Sequence, residues 1–340
     1  MLTLPQIKVA AVQAAPVFLD TAATVDKACA LIAEAAGNGA RLVALPEVFV
    51  PGYPYWSWLT DPITGSDWFD RLYRASIAVP GPEVAQICAT ARDHACHVVI
   101  GVNERDPVRL GTLYNTNLII SDEGQLLGRH RKLVPTWAEK LIWSPGDGSS
   151  LVVHQTPIGP LGTLACGENT NPLARFALLA QGELLHVANY IALPVAPADY
   201  DMARGIQIRA AAHSFEGKLF TIVSCSTISE AIIAEMEQLN PKARALLVRK
   251  SSAFSGVIGP QGEVIGESLI DEEGIVYADV DLNICIKPKQ MHDVIGGYNR
   301  FDIFDLRINR AAQQQAQFFN AAPEGEDDSP AAALRSVGKG

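Results

Sequence analysis

The amino-acid sequence predicts an α/β fold assembled from two similar halves. Short apolar runs of strand length alternate along the chain with longer segments whose apolar residues recur at helical spacing. The run Ile119-Ile120-Ser121-Asp122-Glu123-Gly124-Gln125-Leu126-Leu127-Gly128 returns in pattern as Val257-Ile258-Gly259-Pro260-Gln261-Gly262-Glu263-Val264-Ile265-Gly266. Each copy reads as a β-hairpin with Gly124 or Gly262 in its turn. No linker rich in Pro, Gly and Ser interrupts the chain before its C-terminal tail, so its 340 residues read as one large domain.

In chain order, the apolar run 7–13 predicts the first strand and the periodic segment 24–36 the first helix. A strand over 42–45, a helix over 82–94 and strands over 97–102 and 114–120 complete the first half on the same criteria. The second half repeats the scheme, with a strand over 161–165, a helix over 172–181, a strand over 184–187, a helix over 201–216 and strands over 219–224 and 253–258. The helix over 172–181 has the clearest limits. Asn171 is its N-cap, Pro172 its first residue and Gly182 its stop, and Leu173, Phe176, Ala177 and Ala180 form its expected apolar face.

Composition narrows the function. A net charge of −10 argues against nucleic acid or an anionic membrane as partner, although Glu324, Glu326, Asp327 and Asp328 in the tail supply part of it. No apolar run reaches the length of a membrane span, and no signal-peptide pattern precedes the first strand. Cys29, Cys88, Cys96, Cys166, Cys225 and Cys285 are scattered through predicted helices and strands, which suits reduced thiols and a cytoplasmic protein. The tail over 321–340 carries too little apolar surface to offset its ordering entropy and is expected to be disordered.

Three segments share one build, an apolar strand that ends in a chemically useful side chain within a polar, aromatic or proline-rich loop. Arg41-Leu42-Val43-Ala44-Leu45-Pro46-Glu47 presents Glu47, Leu126-Leu127-Gly128-Arg129-His130-Arg131-Lys132 presents Lys132, and Gly162-Thr163-Leu164-Ala165-Cys166 presents Cys166. An isolated cysteine is more often an inert core residue, and an isolated Glu or Lys is mostly a surface charge. Together at strand ends, where ligands of α/β sheets bind, they supply a nucleophile, a base and a stabilising cation. The helix that follows Cys166 is expected to favour its thiolate through the helix dipole.

Leu45-Pro46-Glu47 with Gly52-Tyr53-Pro54, then His130-Arg131-Lys132-Leu133-Val134-Pro135-Thr136, then Ala165-Cys166-Gly167-Glu168-Asn169 stand in the order and wide spacing of the nitrilase superfamily. The chain resembles that superfamily from about residue 7 to about residue 310, and within it the nitrilase branch. The resemblance implies an α-β-β-α sandwich of the carbon-nitrogen hydrolase type with two pseudo-symmetric halves. It implies Glu47 as general base, Lys132 as stabilising cation, Cys166 as nucleophile and Glu139 as a second acid that positions the site. It implies hydrolysis of a small-molecule nitrile to a carboxylic acid and ammonia, with no metal and no cofactor.

Tyr53, Trp56, Gly167 and Tyr190 are the candidate substrate-binding residues. Gly167 and Tyr190 stand where relatives commonly carry tryptophan, which implies a differently shaped pocket. Gly297 replaces a histidine usual in the family. An amidase or carbamoyl-amide hydrolase of the same superfamily, and a non-catalytic assembly or binding protein on this fold, stay open as alternatives.

The resemblance also implies a homo-oligomer that can extend into a spiral or filament. Ile232, Ile233, Met236 and Leu239, within 228–250, form an amphipathic element that suits either a subunit contact or packing within the subunit. The expected domain organisation is a carbon-nitrogen hydrolase domain over 1–285, an extension at subunit contacts over 286–320 and the tail over 321–340. His94, Cys96 and His97 lack a second ligand pair at metal-site spacing, and His213 with Glu216 reads as a packing or solvated pair on one helix face.

Overall fold

A computed structural model describes residues 3–197, 199–314 and 316, so the expected disordered tail over 321–340 lies outside the described residues. The strands are β1 (Gln6–Gln13), β2 (Ala40–Ala44), β3 (His97–Arg105), β4 (Leu113–Ile120), β5 (Leu126–Arg131), β6 (His154–Thr156), β7 (Gly159–Ala165), β8 (Leu185–Tyr190), β9 (Phe220–Cys225), β10 (Phe254–Ile258), β11 (Val264–Ile270) and β12 (Gly274–Asp281). The helices are α1 (Thr21–Gly37), α2 (Ser66–Ala75), α3 (Pro82–Asp93), α4 (Pro172–Leu179), α5 (Met202–Gly217), α6 (Glu230–Leu239), α7 (Ala243–Leu247) and α8 (Ile286–His292).

The first half runs β5-β4-β3-β2-β1 and the second β9-β8-β7-β6. The central pairings β1–β2, β2–β3, β7–β8 and β8–β9 are parallel. The repeated hairpins are β4–β5 and β10–β11, both antiparallel, and Gly124 and Gly262 adopt positive φ in their turns. The halves meet edge to edge where Gln13 pairs with Cys225.

Side-chain alternation along the strands builds four layers. Ala10, Val43, Val98 and Ile100 point outward and pack under Val25, Ala28 and Ile32 of α1 and Ile87 of α3. Val9, Leu42 and Val99 point the other way and meet Leu161, Val187 and Ile222 of the second half. On the far side, Ala188, Val223 and Ile258 lie under Met202, Ile206 and Ala210 of α5. The architecture is the α-β-β-α sandwich, and strands buried on both faces explain why the sequence shows apolar runs instead of alternation.

One expectation is corrected and one open alternative is decided. The buried face of α4 is Ala174, Ala177 and Leu178, packed on Leu151, Val153 and Leu164. Leu173 is 61% exposed, and Leu173, Phe176 and Ala180 instead line a surface groove with Tyr298, Phe301 and Phe304. Helical spacing alone allows both faces, and the strand behind the helix selects one. In α6, Ile232, Ile233 and Met236 are buried against Tyr55, Trp56 and Leu59 of the same chain, so these side chains serve packing and are not free for a partner.

Strand β12 adds antiparallel to β1 from Gln6↔Asp281 to Gln13↔Gly274, an element the apolar-run criterion missed because its exposure is mixed along its length. No described helix is long and apolar enough to cross a membrane.

Candidate active site

Each of the three motif residues follows the carboxyl end of a strand: Glu47 just beyond β2, Lys132 directly after β5 and Cys166 directly after β7. The segment carrying Glu47 lies so close to β3 that a Cβ on Gly101 would fall 2.6 Å from the Glu47 Cα. Only glycine permits that approach. The Glu47 backbone N–H also donates to the Tyr190 carbonyl of β8 at 3.3 Å, which ties it to the second half.

Lys132 is 1% exposed, and its Nζ donates to Glu47 Oε1 and to Glu139 Oε2, each at 2.8 Å. Burial opposes the ammonium charge, but Glu139 and Glu47 outweigh it and hold the Lys132 pKa well above its ordinary value. Asn115 of β4 donates to the same Glu47 oxygen at 2.7 Å, whereas Glu47 Oε2 is buried with no hydrogen-bond partner among the described residues. Burial raises the Glu47 pKa against the pull of Lys132. Glu139 caps its own one-turn helix, accepting from the Thr136 N–H at 2.7 Å, and also accepts from the Tyr53 hydroxyl at 3.0 Å.

Cys166 adopts φ of 48°, in the left-handed region that costs a non-glycine residue about 1–3 kcal/mol. The surroundings restrain it. Glu168 accepts from the Ala165 N–H at 2.8 Å, from the Leu133 N–H at 2.6 Å and from His130 Nε2 at 2.9 Å, tying the cysteine loop to the lysine loop. Asn169 Nδ2 donates to the carbonyls of Leu164 and Cys166, each at 3.1 Å.

Burial and the Glu47 carboxylate push the thiol pKa well up, and Lys132 offsets them only in part. This corrects the expectation that the position favours the thiolate. Helix α4 begins only at Pro172, six residues downstream, and burial is the largest influence on the thiol. The resting thiol is protonated, and Glu47 keeps one oxygen without a partner among the described residues.

The candidate substrate-binding residues fall in different places. Tyr53 is committed to the polar cluster, donating to Glu139 and accepting from Trp58 Nε1 at 2.8 Å. Trp56 packs on Trp68 with ring centroids 5.5 Å apart and lines a cavity with Phe69 and Leu141, whose walls include none of Glu47, Lys132, Glu139 and Cys166. Tyr190 is fully buried in one apolar cluster with Cys166, and its hydroxyl has no partner among the described residues. A Cβ on Gly167 would meet only Thr136 Oγ1, at 3.2 Å.

Sequence reasoning missed Asn115, whose one signal was a polar residue inside an apolar strand. It also missed Glu183, which joins His186 and His213. His213 is fully buried against Glu183, and Glu216 pairs instead with Arg175 at 3.0 Å, so His213 and Glu216 are not a pair.

A buried cation between two carboxylates, next to a restrained cysteine in a dry site, is the constellation of a thiol-dependent hydrolase. The carbon-nitrogen hydrolase family model matches residues 8–290. A nitrilase from Paraburkholderia phymatum is 39% identical over 89% of this chain and 86% of its own length. An aliphatic nitrilase from Rhodococcus rhodochrous is also 39% identical, over 89% of this chain and 82% of its own. Among solved structures, the Caenorhabditis elegans NitFhit protein superposes with a TM-score of 0.70 at 20% identity, covering 92% of this chain and 70% of that one. An amidase from Nesterenkonia gives 0.61 at 20% identity, covering 84% and 95%, and both superpositions speak for the fold alone. The chain belongs to the carbon-nitrogen hydrolase family, in its nitrilase branch.

Proposed function

We propose that this protein hydrolyses an organic nitrile to the carboxylic acid and ammonia. The observation that carries the reading is the buried Lys132 ammonium held between Glu47 and Glu139 beside Cys166, with Glu47 Oε2 left free to take a proton. The relatives named as nitrilases, aligned over most of the chain, support the choice of substrate class.

Glu47 accepts the thiol proton as the Cys166 sulfur attacks the nitrile carbon, and the proton passes to the nitrile nitrogen to give a thioimidate. Glu47 then takes a proton from water as that water adds to the same carbon. Glu47 passes that proton to the nitrogen, the hydroxyl of the tetrahedral intermediate then gives its proton to the same nitrogen by way of Glu47, and ammonia leaves as the thioester carbonyl forms. A second water, activated in the same way, releases the acid and restores the thiol. Lys132 stabilises the charge that develops at the reacting centre, a contribution of about 3 kcal/mol for one preorganised donor in a dry site. Glu139 positions Lys132 and takes no part in proton transfer.

Ammonia release by the purified protein on aliphatic, aromatic and arylacetic nitriles and the matching amides, with Cys166→Ala as control, tests the reading. Activity on amides alone moves the protein to the amidase alternative. Nitrile hydrolysis retained in a folded Cys166→Ala protein overturns the mechanism.

Three further assignments belong to the same proposal. Six free cysteines support a cytoplasmic setting. The exposed Tyr298, Phe301 and Phe304 support residues 286–320 as an extension at subunit contacts beyond a catalytic domain over 1–285. The same apolar surface supports a homo-oligomer, extending to a spiral or filament, and light scattering that shows only monomer over a wide concentration range removes that assignment.

A further inference from the structure

Behind the cysteine loop lies a buried polar chain that the mechanism does not use. Asn169 Oδ1 faces His186 Nε2 at 2.8 Å, His186 Nδ1 faces Glu183 Oε1 at 2.7 Å, and Glu183 Oε2 faces His213 Nε2 at 2.9 Å. Glu183, His186 and His213 are all essentially inaccessible to solvent. The three come from the segment just before β8, from β8 and from α5, and the two imidazoles meet edge to face with centroids 4.3 Å apart. Their facing atoms lie within 4.8 Å of one another, a spacing that would also suit a metal ion, but hydrogen bonds already join them.

The proton positions follow from groups whose roles are unambiguous. Both partners of the Asn169 amide nitrogen are backbone carbonyls, of Leu164 and Cys166, so that atom is the NH2 group and the atom facing His186 is the amide oxygen. His186 Nε2 therefore carries a proton. Its other nitrogen faces a carboxyl group, so either His186 carries a second proton or Glu183 is protonated. The two imidazoles that face Glu183 hold its carboxyl down at about 2 despite burial, which leaves the proton on the ring. The second oxygen of Glu183 accepts from His213, which also favours the ionised carboxylate.

We propose that His186 is a positioning residue held as an imidazolium by Glu183, and that its charge locks Asn169 onto the Cys166 carbonyl and so maintains the left-handed backbone of the nucleophile. The space for this pair is built in. A Cβ on Gly162, the β7 residue in register with His186, would lie 2.0 Å from Glu183 Oε1. The charged groups around the ion pair are consistent with one positive ring. His213 is held neutral, its pKa lowered to about 4 by burial and then by His186, and Arg175 of α4 is paired with Glu216. A charge-assisted N–H bond to Asn169 is roughly twice as strong as a neutral one, and Asn169 passes that restraint to a backbone that a non-glycine residue does not hold unaided.

The proposal rests on Cys166 being the nucleophile, but its test separates the two. Imidazole nitrogen NMR of the full chain, labelled with 15N-histidine, should show both His186 nitrogens protonated at neutral pH, whatever the enzyme hydrolyses. A neutral His186 overturns the proposal. Glu183→Gln keeps every hydrogen bond of the chain, since its amide can donate to His186 Nδ1 and its oxygen can accept from His213, but it removes the charge. A role in packing alone predicts an unchanged kcat. The imidazolium role predicts a neutral His186 in the variant and a kcat lower by roughly tenfold or more, with KM unchanged, because the geometry of the attacking sulfur is disturbed. Unchanged kcat in a variant whose His186 has become neutral also overturns it.

Discussion

Lys132 engages Glu47 through one oxygen only: Nζ stands 2.8 Å from Oε1, the oxygen Asn115 also occupies, and Oε2 has no partner among the described residues. On the proposed mechanism, that asymmetry lets one carboxylate be anchored and act as the base at once. Oε1 fixes its position while Oε2 is available to exchange protons with the thiol and with water.

Glu47→Gln keeps the anchoring geometry and abolishes the base. We expect kcat on a nitrile to fall by roughly 10²- to 10⁴-fold, the usual range for loss of a general base, with an unchanged circular dichroism spectrum. Because the resting thiol is neutral, alkylation of Cys166 by iodoacetamide should also slow in this variant. Equal alkylation rates would mean that Glu47 does not take the thiol proton.

Tyr53→Phe removes the donor to Glu139 and the acceptor of Trp58 Nε1. Leaving buried polar groups unsatisfied costs about 1–3 kcal/mol each, so the urea midpoint should drop at constant slope. The nitrile size preference should stay as it was, since the hydroxyl serves the Lys132–Glu139 pair. A changed preference would return Tyr53 to the substrate wall.

Gly167→Ala asks only for a small shift of the Thr136 hydroxyl, which lies 3.2 Å from the new Cβ, and the residue has no positive φ. Gly167→Trp should lower activity on bulky nitriles relative to small ones, measured as a ratio of kcat/KM values. An unaltered ratio would show that this position does not border the substrate.

Gly162→Ala places its new methyl group 2.0 Å from Glu183 Oε1 and must displace a buried ion pair. Overpacking of this kind costs about 1–3 kcal/mol, read as a lower denaturation midpoint. Native stability in this variant would contradict the packing around Glu183.

Acid should weaken the fold in two overlapping steps. Burial holds His213 at about 4, below its ordinary value, so between about 6.5 and 4 the unfolded chain binds a proton that the folded one refuses, and stability falls as pH falls. Glu183 sits at about 2, because His186 and His213 outweigh its burial. Its contribution is intact above about 4.3 and is lost as pH drops toward 2. Each step amounts to about 3 kcal/mol. Urea midpoints between pH 8 and pH 3 measure the sum, and His213→Gln should remove the upper step.

Among these residues, Glu47 and Cys166 were legible as candidates because each follows an apolar strand with an abrupt change of chemistry, and Lys132 because it stands between a predicted strand and a proline-containing loop, local signals that survive in one dimension. The paired hairpins were legible for the same reason, as two turns in matching apolar frames. The outward face of α4 was not legible, because helical spacing allows either Leu173 and Phe176 or Ala174 and Leu178 to face inward, and only contact with Leu164 decides between them. Nor was His213 legible as a partner of Glu183, which lies 30 residues earlier in the chain.

By itself the sequence determined the alternation of strands and helices, the two-half plan and the placing of Glu47, Lys132 and Cys166 at strand ends, since these follow from periodicity, turn chemistry and residue type over short stretches. The tertiary structure alone decided that Lys132 lies between Glu47 and Glu139, that the Cys166 thiol rests neutral, and that Glu183 joins His186 to His213 behind it. Those properties depend on burial and on charges brought within hydrogen-bond distance from remote parts of the chain, and desolvation exists only once the layers have closed.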